Sequence, residues 1–424
     1  MKRWLLSSAL VLLLILSLAA CNSQREPQVI AVEGNREKTS VHFLTNTNNN
    51  WSLNAFKTVI ASFQTDHPEV HIDFEGYNVG AGKSVQKLIE ERMEAGIVED
   101  MATMDVANIF TYADQGVLLD MTDTEAGRNM TELARADSSV KGHVMSVPLA
   151  MLSFGMYANM DCLNACGLDL PTNWEEFIHC CQVLQENGYQ PILGTRTFPK
   201  LFVLAAMGDI YRRDDTDAII QRLNAGQEKI SDYARVGFDH LAYLIEKGYI
   251  DGPAAAQRST QDLNAPYETG ENGVFVLAAS TYIHPSELPF DVAFIGIPGT
   301  QGMVSLMACD RRIVVMKDSP ARNTCVDFLG YLSRQDVWDS LPDTFGLIPA
   351  YTTMSDTKGG DPRMAQVYEN IEAGRTMLIQ DYRLCFEQWG NLDGICDAML
   401  TGASAADQAA AFDQLQQDAI AAAQ

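Results

Sequence analysis

The chain has 424 residues, 47% of them hydrophobic, with 30 basic against 55 acidic side chains and a formal net charge of -25. That length gives two or three domain-sized units with ample material for a core. A surface this acidic repels phosphate backbones and anionic head groups, which argues against nucleic acid as a partner and against electrostatic adhesion to a membrane.

The chain opens with Lys2 and Arg3, an apolar run from Trp4 to Leu18, and then Leu18-Ala19-Ala20-Cys21. A positive start, a short hydrophobic segment and small residues at the end read as a secretory signal over residues 1–20, short of the roughly 20 apolar residues that span a bilayer. The ending resembles a bacterial lipobox, in which Cys21 becomes a lipid-bearing N-terminus. Acyl chains at about 0.8 kcal/mol per buried methylene then hold the protein on a membrane surface. Residues 21–39 are mostly polar and aperiodic, as a flexible linker is.

Val41 to Leu44 reads as a short apolar strand, and the loop Thr45 to Asn50 leads into a helical pattern of Leu53, Phe56, Val59, Ile60 and Phe63. Val70 to Phe74 alternates as a second strand, and Val85, Leu88, Ile89 and Met93 mark a second helix. Alternating strands and helices predict an α/β fold with a parallel sheet, whose ligands sit beyond the carboxyl ends of the strands. That edge carries Asn46 to Asn50. Gly80-Ala81-Gly82-Lys83-Ser84 lies where a phosphate loop would sit, but the required earlier glycine is replaced by Tyr77, so the glycines read as turn punctuation.

Farther along, Thr172 and Glu175 have capping-box spacing, which marks a helix start and makes Trp174 a core residue. Asp291 to Pro298 reads as a buried strand running out through a proline, suited to a crossing between domains. The Ala-rich tail from Ala403 reads as a final helix. Besides Cys21 there are Cys162, Cys166, Cys180, Cys181, Cys309, Cys325, Cys385 and Cys396. They are compatible with disulfides or with buried thiols, and their spacing is wrong for a zinc ribbon. No Gly-x-Ser-x-Gly elbow and no His-Glu-x-x-His occur, and His179 reads as structural. The lack of a catalytic signature leans toward binding rather than catalysis.

Phe56 to Pro68, Glu99-Asp100, Gly116 to Asp120, Val147-Pro148, Tyr157 to Asp161, Gly167 to Phe177, Phe290 to Pro298, Ser319 to Ala321, Phe328 to Leu332, Gly346 to Pro349 and Leu400 to Gly402 follow one another in a characteristic order. In this the chain resembles family 1 of the bacterial extracellular solute-binding proteins, the sugar-binding lipoproteins of ABC importers related to maltose-binding protein. The resemblance implies a type II periplasmic-binding-protein-like fold, two α/β lobes with a hinge and a ligand cleft between them. Lobe one would take residues 40–148 and 298–342, and lobe two 149–290 and 349–424. The hinge crossings would fall at 291–297 and 343–348.

It further implies a non-enzymatic receptor, anchored on the extracytoplasmic face of the cell membrane. The receptor would act as a monomer, need no cofactor or metal, and deliver a carbohydrate to an ABC permease; a polyamine, peptide or metal as solute, or a sensing role, is the alternative. Sugars present an apolar C–H face and a rim of hydroxyls, so a site wants flat rings and short polar groups. Counted back from Leu400-Thr401-Gly402, Trp389 falls where relatives place a stacking Trp, with Glu387, Gln388 and Asn391 as hydrogen-bonding neighbours. Asn46, Asn49 and Trp51 fall at a position used for polar contacts, where a solvated turn is the other reading. Asp105 and Asn108 match polar ligand contacts, Tyr282 stands in for a cleft Trp, and Phe198 near Arg196 matches another aromatic contact. Met104 replaces an aromatic of maltose-binding protein, which counts against maltose itself.

Overall fold

The computed structural model describes residues 39–46, 50–77, 85–97, 99–260, 273–341, 344–354 and 361–422. The expected signal over residues 1–20, nearly all of the expected linker with Cys21, Asn49 and the Gly80–Ser84 segment lie outside them, and for Asn46 and Trp51 only the backbone is described. Apart from the small hairpin of Ser139–Val140 and His143–Val144, the strands in chain order are β1 (Thr39–Asn46), β2 (Val70–Tyr77), β3 (Met101–Thr103), β4 (Ala150–Asn159), β5 (Ile192–Leu193), β6 (Phe275–Ala279), β7 (Val292–Ile295), β8 (Ile297–Gly299), β9 (Gly302–Asp310), β10 (Ile313–Val315), β11 (Leu347–Ile348) and β12 (Thr376–Leu378). The helices used below are α1 (Asn50–Asp66), α2 (Val85–Glu94), α3 (Val106–Asp114), α4 (Glu132–Ser138), α5 (Trp174–Glu186), α6 (Lys200–Met207), α7 (Ser231–Glu246), α8 (Arg322–Leu332), α9 (Asn391–Leu400) and α10 (Ala405–Ala422).

Among the described residues, β10-β3-β1-β2 form a four-stranded sheet. β1 runs parallel to both β2 and β3, with Phe43 beside Phe74 and Met101. The period of α1 places Ala55, Phe56, Val59, Ile60 and Phe63 inside. Phe56 meets Phe43 edge-on at 5.2 Å, and Phe63 meets Phe328 of α8 at 5.3 Å. In α2, Ile89 is buried as its pattern predicts, whereas Met93 is exposed at the helix end. The carboxyl ends of β1, β2 and β3 share one edge, where the hydroxyls of Thr45 and Thr103 lie 3.0 Å apart.

The second sheet, order β8-β9-β4-β6-β5, is completed by β7 and β11 on β4 and by β12 on β9. Its centre is β4, buried along nearly all of its length, as a strand covered on both faces must be. Helix α6 covers β8 and β9, and α7 packs on α6 so closely that a Cβ on Gly237 would lie 2.4 Å from the carbonyl oxygen of Phe202.

Two segments carry the chain between the sheets side by side. Val147 and Ile313 exchange backbone hydrogen bonds of 2.8 Å, and the Leu149 N–H donates to the Asp310 carbonyl at 3.2 Å. Arg311 turns the corner with a φ of 49°. This corrects the crossing expected at 291–297. Residues 292–295 and 297–299 pair inside the second sheet, as does β9, so residues 298–310 belong with the second body and the chain changes sheets at Asp310–Ile313. Pro298 sits on β8, an edge strand bonded only to β9, which tolerates its missing N–H.

The return leads into β11, whose Leu347 and Ile348 pair with β4. Gly346 precedes it with a φ of +77°, and a side chain there would strike the Ser280 carbonyl 2.1 Å away. After β11 the chain touches the first body again: Thr131 N–H donates to Ala350 O at 2.9 Å, and the Tyr351 hydroxyl donates to Pro148 O at 2.5 Å. Residues 350–352 therefore side with the first body rather than with the second. The tail forms α10, packed on α7 and α9.

At α5, Asn173 rather than Thr172 is the N-cap, accepting from the Glu176 N–H at 2.9 Å. Glu176 answers by accepting from the amide and the hydroxyl of Thr172, both at 2.8 Å, so the capping box is shifted by one residue. Trp174 stacks on His240 at 3.5 Å with 5° between the rings. His179 is exposed on α5. The eight described cysteines are free thiols, with Cys180, Cys181, Cys309, Cys325 and Cys396 buried.

Candidate functional site

Trp389 lies just ahead of α9, half-buried, its ring 4.9 Å from that of Phe154. Phe154, on β4, also faces Phe198 at 6.1 Å. The structure thus brings Trp389 and Phe198 together through a third aromatic that sequence reading missed. Phe198 is only 4% exposed and supports the cluster from within. Below the Trp389 ring, the ammonium of Lys200 sits 3.7 Å from the ring centroid. The side chain of Lys200 is fully buried and donates to the Trp389 carbonyl at 2.9 Å and to Asp393 Oδ1 at 2.5 Å. Burial lowers the pKa of Lys200, and the Asp393 carboxylate opposes that shift.

The neighbours of Trp389 divide into two groups. Gln388 is fully buried, and its side chain is engaged inside the protein. Its Oε1 accepts from the Asp381 N–H at 2.9 Å and its side-chain amide donates to the Phe386 carbonyl, while its backbone N–H donates to Gln380 Oε1 at 2.7 Å. A buried amide is held by such bonds because leaving it unpaired costs about 1–3 kcal/mol. Glu387 is exposed, and Asn391 opens α9 with its amide donating to the Glu387 carbonyl at 2.6 Å. One turn into α9, Asp393, Gly394 and Asp397 line a cavity of about 130 Å³ with Arg196 and Thr197.

On the first body, Asp105 follows β3 and caps α3. Its Oδ1 accepts from the Asn108 N–H at 2.9 Å, and its Oδ2 from the Asn108 side-chain amide at 2.8 Å. These two predicted residues are bonded to each other at the carboxyl edge of the sheet. Asn46 ends β1 at that edge, opposite Tyr77, and Trp51 is the second residue of α1. The two bodies meet where the ring of Phe110 on α3 lies 5.0 Å from Tyr382, seven residues before Trp389. Burial raises the Tyr382 hydroxyl pKa well above its ordinary value, and the nearby Asp137 adds to the shift. Tyr282 is half-buried after β6, its hydroxyl donating to the Thr260 carbonyl.

Among the described residues no group of three or more His, Cys, Asp or Glu could hold a metal ion. What the site offers is a half-buried flat ring braced by Phe154 and Lys200, with Glu387, Asn391 and Asp393 beside it in the chain. That is an arrangement for holding a polar solute with an apolar face.

Two α/β bodies, each built on its own sheet and joined by paired crossing segments, define the class of two-bodied binding proteins. The chain matches the family model described as bacterial extracellular solute-binding protein over residues 50–337, and it belongs to that family. Among solved structures, RafE of Streptococcus pneumoniae in its apo form superposes with a TM-score of 0.70 at 15% identity, over 92% of this chain and 100% of that one. A chitin oligosaccharide binding protein gives 0.69 at 15%, covering 91% and 99%. A sugar transporter of Bacillus licheniformis in complex with stachyose gives 0.63 at 14%, covering 89% and 100%. These likenesses establish the type II periplasmic-binding-protein-like fold. No curated protein matches the chain in sequence. Among the described residues no helix is long and apolar enough to cross a membrane.

Proposed function

We propose that this chain is a lipid-anchored receptor that captures a mono- or oligosaccharide between its two bodies and delivers it to an ABC import permease. The observation that carries the reading is the half-buried Trp389 ring, braced by Phe154 and Lys200 and seven residues after Tyr382, whose ring meets Phe110 of the first body. A fixed aromatic face stacks on the C–H face of a pyranose, while Asp105, Asn108, Asn391 and Glu387 serve as hydroxyl partners. Structural neighbours described with raffinose, chitin oligosaccharide and stachyose support the solute class. Closure of the bodies about the paired crossing segments near Asp310 then buries the solute, by the differential affinity of closed over open states. The Leu18-Ala19-Ala20-Cys21 ending supports anchoring through Cys21 on the extracytoplasmic face. Binding without turnover by a monomer is the expected behaviour.

Calorimetry against raffinose, stachyose, chitotriose and spermidine tests the reading. Saturable binding of a sugar, weakened at least about tenfold (1.4 kcal/mol) by Trp389→Ala, is the expected result. Binding of spermidine and of no sugar overturns it in favour of a polyamine, which Asp393 and Asp397 in the cavity would suit.

A further inference from the structure

Trp389 is gripped from within by buried groups. Its N–H donates to Gln380 Oε1 at 3.2 Å, and Gln380 is 6% exposed. Its carbonyl accepts from Lys200, and the same ammonium lies against its ring. An ammonium has three N–H bonds. Lys200 spends two on the Trp389 carbonyl and on Asp393 Oδ1, and the third is left for the ring face, whose negative quadrupole attracts it.

Burying a charge costs several kcal/mol before its partners offset it, and a methionine of similar length would fill the same space without that cost. The ammonium therefore does little for stability that an apolar side chain would not do. What it adds is direction. It joins the start of α6 to the backbone of one residue, the ring of that residue and the first turn of α9, and no apolar side chain can hold all three.

We propose that Lys200 is the positioning residue of the Trp389 platform, fixing the orientation of the ring before a solute arrives so that little ordering remains to be done on binding. Its functional meaning rests on the sugar-receptor reading, whereas its mechanical content does not.

The test uses the whole chain labelled with 5-fluorotryptophan, with the Trp389 fluorine signal assigned by its loss in Trp389→Phe. In Lys200→Met the Trp389 signal shifts and broadens while those of Trp174 and Trp338 stay in place. The sugar that binds wild type most tightly among raffinose, stachyose and chitotriose binds about tenfold more weakly. In the Trp389→Phe background the same substitution adds almost nothing, because Lys200 acts through the ring. Asp393→Asn, at a carboxylate that is half exposed, moves the Trp389 signal the same way by less, and it decides the matter if Lys200→Met does not fold.

An unmoved Trp389 signal in Lys200→Met, or in Asp393→Asn where only that variant folds, overturns the proposal. So does an equal loss of affinity with and without the Trp389 indole, which marks a merely structural lysine. If wild type binds none of the sugars, the receptor reading falls, and the fluorine spectra alone decide the role of Lys200.

Discussion

Asp137 and Arg312 are paired at the point where the chain crosses between the two bodies. The Asp137 side chain, at the end of α4, is fully buried; its Oδ2 accepts from the Arg312 guanidinium and, at 2.6 Å, from the Cys309 N–H on β9. Burial alone would lower the pKa of Arg312, and the Asp137 carboxylate more than reverses this. Removing one partner strands a charge in the interior, at a cost of roughly 3–5 kcal/mol. Asp137→Ala is expected to lose about that much in urea unfolding, and Asp137→Ala with Arg312→Met is expected to regain much of it. A loss below about 1 kcal/mol in the single variant would show that the pair is not what holds the crossing.

Much of this fold is legible in the sequence wherever local pattern decides the structure. The alternation of β2, the helical period of α1 and the Ala-rich run of α10 all appear where they are expected. The crossing is not legible at 291–297 because a strand buried on both faces carries the same apolar signature inside a sheet as between lobes. The usable signal was Asp310-Arg311-Arg312, three charges between two apolar strands. At α5, Thr172 with Glu175 and Asn173 with Glu176 have identical spacing, so spacing cannot choose between them. The position of Trp389 came from family resemblance. Lys200 and Phe154, which hold it, lie far away in the chain, and no local pattern links them to it.

His240 gives the stability a specific acid dependence. Stacked on Trp174 and largely desolvated, its imidazole has a pKa lowered by burial from 6.5 to about 4. Between these values the unfolded chain takes up a proton that the folded one refuses, so His240 costs nothing above pH 6.5 and destabilises progressively toward pH 4. From pH 7 to pH 4.5 the loss amounts to about 2 kcal/mol. His240→Phe keeps the stack and removes the titration, so its unfolding free energy should fall less over this interval by that amount. Parallel pH profiles for the two proteins would refute the assignment.

Two helical glycines should respond to alanine with opposite signs. Alanine is ordinarily favoured over glycine in a helix interior by about 1 kcal/mol. At Gly394 on α9 a Cβ meets nothing within 4 Å, so Gly394→Ala should raise stability by up to that amount. At Gly237 on α7 the Cβ would lie 2.4 Å from Phe202 O and 2.5 Å from the Cα of Val203, both backbone atoms of α6. Overpacking of this kind costs about 1–3 kcal/mol or more and outweighs the propensity gain. Thermal unfolding of the two variants decides the signs, and a stabilised Gly237→Ala would mean that α6 and α7 are less tightly packed.

Asp105 caps α3, and a pair of substitutions can separate that cap from the solute contact proposed for it. Its cap on α3 uses one lone pair of each carboxylate oxygen, and the remaining lone pairs stay available at the exposed edge of the first sheet. Asparagine caps a helix about as well as aspartate, whereas alanine loses about 1 kcal/mol. A carboxylate accepts a hydroxyl hydrogen more strongly than an amide oxygen does. Asp105→Ala is therefore expected to lower both stability and sugar affinity, while Asp105→Asn should keep the melting temperature and lose about tenfold in affinity. Wild-type affinity in Asp105→Asn, measured by calorimetry, would confine Asp105 to its cap and leave the first body's contribution to the other residues along the carboxyl edge.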